Sequence, residues 1–377
     1  MQHFKIAFLF LDEIHHVSHF ISVAKALSKK HHVKILTHKN PDRYLYNIAD
    51  TIQANNVTIE ELPTKKYRAF TDKFKNRKRP RKGFWIKKNL EYLLDFDAVV
   101  FTDYYHKYLK KACKNRIFPK LIKFNHGIPG RAYAFREDQK DFDLQILVGD
   151  FQQQLLSKKA VMAKNIAIGG YPKLDVVEQI ELKSYFQNDK PVIFYNPHFD
   201  PDFSSWEAFG IDILRFFANQ DQYNLIFAPH INLFSTEKEN RELSKLPKEI
   251  LNAENIYIDF GSKDSVDMQF TRIADLYLGD VSSQVYEFII IQPRPCLFLN
   301  PNKVKYKKDP HFRFWKCGMV IKKTKNLNKK LEKAFKKFQK YETIQKEINA
   351  ENIYLDKQKK ASINISEIIS NYLQNHL

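Results

Sequence analysis

The chain opens on a run of apolar residues, Phe4 to Leu11, with the length and continuity of a strand buried on both faces. Over residues 14–29 the spacing changes. Ile14, Val17, Phe20, Ile21, Ala24 and Leu27 recur every three or four positions, the period of a helix with one buried side. Val33 to Leu36 is strand again, and this strand–helix–strand unit is how a doubly wound parallel sheet begins. The alternation continues with a helix over 41–54, strands at 57–62 and 97–102, a helix over 105–114, strands at 121–124 and 145–148, a helix from Asp150, and a strand at 165–168. A polar segment over roughly 178–190 then leads into a second half with the same rhythm. Its strands are expected at 191–195, 223–228, 255–258, 274–278 and 295–299, and its helices at 205–219, 238–247, 266–273 and from Ser283 onward. Beyond 325 the chain is Lys-rich and helical, and 361–376 has the pattern of an amphipathic last helix. The expected class is α/β. The expected domains are an N-terminal Rossmann-like domain at 1–178, a C-terminal one at 190–360, and a final helix at 361–377.

The polar residues between these elements are not scattered. Open α/β sheets bind ligands beyond the carboxyl ends of their strands, and His126, His198, His230 and the Ser282/Ser283 pair each follow an expected strand directly. Asp280 and the two serines lie between a strand and a helix, where free N–H groups and the helix dipole favour a phosphate; an ordinary capped helix has the same residues. Glu287, one turn later, suits a sugar hydroxyl. Gly127 after His126 lets backbone approach a substrate, and imidazole has the side-chain pKa suited to proton transfer near neutrality, although a lone His is more often structural. Asp12, His15, His16 and His19 stand after the first strand. Their spacing admits a metal, but HExxH is absent and no further ligand is evident, so they are read as the rim of a cleft or as solvated residues, with no metal site.

Composition narrows the partners. The chain has 377 residues, too many for one core and suited to two domains. Lys and Arg total 62 against 43 acidic residues, a net charge of +19, which calls for an anionic partner. The most basic stretch, 65–88, interleaves Arg77, Lys78, Arg79, Arg81 and Lys82 with Tyr67, Phe70, Phe74, Phe84 and Trp85. That mixture suits an anionic membrane surface; single-stranded nucleic acid or a plain solvated loop are the other readings. No recognition motif for nucleic acid is visible, and none is expected as a partner. No apolar run reaches the roughly 20 residues that span a bilayer, and the start lacks the marks of a signal peptide. The three cysteines, Cys113, Cys296 and Cys317, form no CxxC pair, which fits a reducing compartment. A cytoplasmic protein, peripheral at the inner face of the cell membrane, is expected.

Four motifs in order resemble those of the CDP-glycerol glycerophosphotransferases, a family of GT-B architecture that builds teichoic-acid-like polymers. His126-Gly127-Ile128-Pro129 is similar to the family's His-Gly-x-Pro, Gly170-Tyr171-Pro172-Lys173-Leu174-Asp175 to its Gly-Tyr-Pro-x-x-Asp, and Asp280-Val281-Ser282-Ser283 to its Asp-Tyr-Ser-Ser. Gln292-Pro293-Arg294-Pro295 stands near its Lys-Pro. The resemblance covers about 120–300 and implies two Rossmann-like domains whose parallel sheets face an interdomain cleft. It implies His126 as the base on an acceptor hydroxyl, His230 as a second catalytic His on the donor phosphates, and Ser282, Ser283 and Glu287 as holders of the nucleotide. Asp280, Arg294 and His198 join the expected donor side, and His15, His16 and Arg131 the acceptor side. The implied reaction moves a glycerophosphate or related polyol-phosphate unit from a CDP-activated donor to a polymer or lipid-linked acceptor, with no cofactor required. The alternatives are a GT-B glycosyltransferase using a nucleotide sugar and a UDP-N-acetylglucosamine 2-epimerase-like enzyme. Three departures fall in the donor half: Pro229 precedes His230 where the family has His-Pro, Val281 replaces Tyr, and Pro197-His198 stands for Pro-Thr.

Overall fold

A computed structural model describes residues 2–75, 77–113, 119–128, 136–234 and 246–377. The chain forms two compact units, one of residues 1–180 with 350–377 and the other of residues 181–349. Each is built on a parallel sheet.

In the first unit the strands are β1 (Lys5–Phe10), β2 (His32–His38), β3 (Thr58–Leu62), β4 (Ala98–Phe101), β5 (Lys120–Phe124), β6 (Leu144–Leu147) and β7 (Asn165–Ile168), in the order β3-β2-β1-β4-β5-β6-β7. The order reverses between β1 and β4, which pair directly, Ile6 opposite Ala98. Such a reversal is the point at which open α/β sheets bind their ligands, beyond the carboxyl ends of the two strands. The continuous apolar run of β1 is explained by burial on both faces. Ala7 and Leu9 join a core with Trp85, Ile86, Leu93, Val99 and Leu121, while Phe8 and Phe10 face the other way onto Phe20, with ring centroids 5.9 and 5.8 Å apart. The helix expected over 14–29 is broken at Phe20 into a 3-10 turn, Ile14–His19, and a helix, Ile21–Leu27. That break lets the histidines of the first turn stay at the tip of β1.

In the second unit the strands are β8 (Val192–Asn196), β9 (Asn224–Phe227), β10 (Ile256–Ile258), β11 (Leu276–Gly279), β12 (Cys296–Leu299) and β13 (Met319–Ile321), in the order β10-β9-β8-β11-β12-β13. Counted within the unit this is 3-2-1-4-5-6, the Rossmann order, with its reversal between β8 and β11. β11 ends on glycine for a steric reason: a Cβ on Gly279 would lie 2.9 Å from the Asn196 carbonyl oxygen of β8. The helix expected over 238–247 falls mostly outside the described residues. β13 has only three residues and no pattern announced it.

The basic stretch is helical, Lys66–Phe74 followed by Lys82–Lys88. No helix among the described residues is long and apolar enough to cross a membrane.

Candidate active site

In the first unit the loop after β1, the end of β4 and the end of β5 bring four groups together. His126 follows β5, and its Nδ1 donates to the Thr102 carbonyl oxygen at 2.9 Å. A carbonyl only accepts, so the proton is on Nδ1 and the lone pair on Nε2. Burial, with the Lys123 ammonium next, lowers its pKa below the usual histidine value and keeps the ring neutral near pH 7. Gly127 beside it has a φ of +150°, and a side chain there would meet nothing within 4 Å, so the approach to the ring stays open. His16 is buried, its Nδ1 lies 2.9 Å from Thr102 Oγ1, and its ring centroid is 3.9 Å from that of His126. His15 completes the group, its centroid 5.4 Å from His126. The expected acceptor-side pair therefore does meet the expected base. Arg131 lies outside the described residues.

Two lysines that the sequence reading did not assign to this site support it. Lys123 is buried within β5, and its ammonium donates at 3.0 Å to the Thr102 and Phe124 carbonyls and to Asn125 Oδ1. Burial lowers it to about 7. A lysine inside the apolar Leu121-Ile122-Lys123-Phe124 was the available signal. Lys82, assigned by sequence to a membrane contact, bonds Asp12 and reaches Asp103 at 3.1 Å. Burial lifts Asp12 to about 6 although Lys82 opposes the shift.

Other members of the expected membrane contact are also corrected. Trp85 is fully buried, its indole N–H donating to the Leu62 carbonyl at 3.1 Å. Arg81 pairs with the buried Asp72 at 3.0 Å and Arg79 with Glu13 at 2.7 Å. Arg77 and Lys78 are exposed. The exposed aromatics are Tyr67, Phe70 and Phe74 at 69%, 71% and 83%, spaced to share one face of the helix Lys66–Phe74.

In the second unit Asp280 follows β11 and is fully buried. Its two oxygens accept the backbone N–H of His198 at 2.8 Å and of Ser205 at 2.6 Å, which ties down the loop after β8. Burial raises its pKa to about 7. Expected to hold donor, Asp280 holds the loop instead. His198 Nδ1 accepts from Asp200 N at 3.0 Å and His230 Nδ1 from Asn232 N at 3.2 Å. Both rings therefore carry their proton on Nε2, the opposite tautomer to His126. Their centroids are 5.3 Å apart. Ser282 Oγ accepts from Gln284 N at 3.2 Å in the turn that leads into the helix Gln284–Ile291, while Ser283 stands exposed at the N-cap without a side-chain capping bond and Glu287 half-buried one turn on.

Arg294 is a correction. Its guanidinium lies 3.8 Å over the Phe288 ring and donates to the carbonyls of Thr271, Arg272, Ala274 and Phe288. These bonds commit both terminal amino groups to the fold, and the remaining Nε–H is buried without a partner, so the guanidinium is turned inward and not toward a phosphate.

A family model described as CDP-Glycerol:Poly(glycerophosphate) glycerophosphotransferase matches residues 120–371. No curated protein sequence matches the chain. Among solved structures, the wall teichoic acid polymerase TagF soaked with CDPG superposes with a TM-score of 0.62 at 17% identity, over 98% of this chain and 89% of that one. The S. aureus MnaA–UDP structure gives 0.61 at 15%, over 98% and 97%. The UDP-GlcNAc 2-epimerase of Neisseria meningitidis bound to UDP-GlcNAc gives 0.61 at 11%, over 99% and 100%. At these identities the likeness is one of fold, that of GT-B transferases and epimerases. The two Rossmann-ordered sheets agree with it, and with the family match over residues 120–371 the chain belongs to the CDP-glycerol:poly(glycerophosphate) glycerophosphotransferase family.

Proposed function

We propose that the chain moves a glycerophosphate or related polyol-phosphate unit from a CDP-activated donor to a hydroxyl of a cell-surface polymer or lipid-linked acceptor. The observation that carries this is the opposed protonation of the histidines. His126 turns a lone pair outward and can take a proton, whereas His230 and His198 carry Nε2–H and can give a hydrogen bond. Phosphoryl transfer needs both: a base for the incoming oxygen and donors for the charge on the leaving phosphate. The acceptor hydroxyl attacks the phosphorus that bears glycerol, and its proton passes to His126 Nε2. The bond from that phosphorus to the bridging oxygen breaks, and CMP departs with the electron pair. His230 and the start of the helix Gln284–Ile291, with Ser282 and Ser283, stabilise the donor phosphates, and Glu287 takes a ribose hydroxyl. His15 and His16 stand on the acceptor side. No step calls on a cofactor or a metal.

The enzyme would work in the cytoplasm at the inner face of the membrane, held by the aromatic face of the helix Lys66–Phe74 with Arg77 and Lys78 beside it. The net charge of +19 supports an anionic surface.

The polymerase and the epimerases match equally well in fold, so the reaction itself is the test. Purified chain given CDP-glycerol and a glycerol-primed acceptor should release CMP and lengthen the acceptor. If it is inert to CDP-glycerol but turns over a UDP-sugar, the glycosyltransferase or epimerase reading replaces this one.

A further inference from the structure

His15, His16 and His126 each offer one ring nitrogen, and the three nitrogens lie within 4.8 Å of one another. Two of the rings are held by one residue, His16 Nδ1 at Thr102 Oγ1 and His126 Nδ1 at Thr102 O, both at 2.9 Å, which leaves Nε2 of each to meet a ligand. An imidazole fixed at Nδ1 by a hydroxyl or carbonyl and presenting Nε2 is how histidines are oriented around metals. We propose that His15, His16 and His126 form a binding site for a zinc-class transition-metal ion, and that the ion, when bound, blocks the base. The inhibitory part rests on the reading of His126 given above; the site itself does not.

Three imidazoles and one open position match a tetrahedral ion of borderline softness, so zinc, copper, nickel and cobalt are favoured over magnesium and calcium, which prefer oxygen. Ligand nitrogens around zinc stand roughly 3.3 Å apart when each bond is about 2.0–2.1 Å, so the rings need close by only about an ångström or so. Asp12 and Glu13, whose oxygens lie within the same distance of a His16 nitrogen, offset the added charge only in part, since they already pair with Lys82 and Arg79. Lys82 and Lys123 oppose it, but Lys82 is paired with Asp12 and Asp103. The consequence for catalysis is direct: the Nε2 lone pair of His126 binds an ion or a proton, and not both.

The test is calorimetric titration of zinc chloride into the metal-stripped full chain, beside His15→Ala, His15→Gln and His16→Ala, with melting curves to check folding. One ion per native chain is expected, with affinity at least tenfold weaker in each variant. In the CMP-release assay, one equivalent of zinc should stop the native enzyme and a chelator restore it. Absence of saturable binding, or variants that bind as tightly as native chain, overturns the site. Turnover that continues with the ion bound overturns its inhibitory role. A chain that binds zinc through the triad but never releases CMP leaves the site standing and removes the transferase reading instead.

Discussion

The role proposed for His126 rests on one hydrogen bond to the backbone. The Thr102 carbonyl holds the Nδ1 proton, which fixes both the orientation of the ring and the nitrogen that can act as base. Replacing His126 by Ala should lower the rate of CMP release by roughly a hundred- to ten-thousandfold, the usual worth of a positioned base. Nucleotide affinity by calorimetry should hardly change, because the groups proposed to hold the donor belong to the other unit; a parallel collapse of affinity would contradict the assignment. Asp280 makes a different kind of prediction. Its carboxyl titrates near 3.8 when unfolded and is raised to about 7 by burial. The folded chain therefore binds this proton more tightly, and the group's contribution to stability falls as pH rises from about 4 to 7. The slope approaches ~1.4 kcal/mol per pH unit for this group alone. Denaturant unfolding of native chain and Asp280→Asn should give stability curves that diverge across that range. Parallel curves would mean that the two backbone N–H bonds keep the carboxylate ionised.

At the scale of elements, the face of the helix Lys66–Phe74 offers the sharpest test. Tyr67, Phe70 and Phe74 point to solvent, so changing all three to Ser should leave the melting temperature in place and weaken binding to anionic vesicles by roughly tenfold or more. Vesicle affinity equal to that of native chain would move the membrane contact elsewhere. Arg81→Ala behaves otherwise: it removes the nearer of two guanidinium groups from the buried Asp72, leaving Arg77 at 3.8 Å, and should cost about 1–3 kcal/mol of stability. Sequence shows why these two classes are hard to separate. Basic and aromatic residues in 65–88 alternate without regard to burial, so Trp85 and Lys82 read like Phe70 and Arg77. Only the acids that meet them, Asp12, Glu13, Asp72 and Asp103, sort them, and three of those come from elsewhere in the chain. Strands were more legible. Twelve of the thirteen described strands fall where the sequence pattern places them, most of them because a strand buried on both faces must be apolar throughout. The histidines were legible for a related reason, since a polar residue directly after such a strand has only the sheet's edge to occupy. Arg294 was not. Nothing in Gln292-Pro293-Arg294-Pro295 says that its guanidinium turns inward onto four carbonyls.

On the scale of the whole molecule, the second unit is one continuous segment, 181–349, while the first is assembled from both ends of the chain. The returning helix, Ala361–His376, packs against the helix Ile21–Leu27, with Ile365, Ile369 and Leu373 almost fully buried. It is also held by polar contacts: Ser362 N donates to Asp175 at 2.7 Å, and His31 Nε2 lies 2.9 Å from Ser370 Oγ. Asp175 is the acid of the Gly-Tyr-Pro-x-x-Asp motif, which gives that motif a packing role in this chain. Three buried aliphatic side chains lost together exceed the stability margin of an ordinary domain, since each Ile or Leu to Ala change costs about 2–5 kcal/mol. A chain ending at Asn349 should therefore keep the second unit and lose the first. Limited proteolysis should leave a resistant fragment beginning near Glu181, and the truncated chain should still bind cytidine nucleotides while releasing no CMP. Ile369→Ala, a milder form of the same lesion, should lower the melting temperature without moving nucleotide affinity. If the truncated chain melts in one transition at the native temperature, the returning helix contributes nothing to the first unit, and residues 1–180 fold without it.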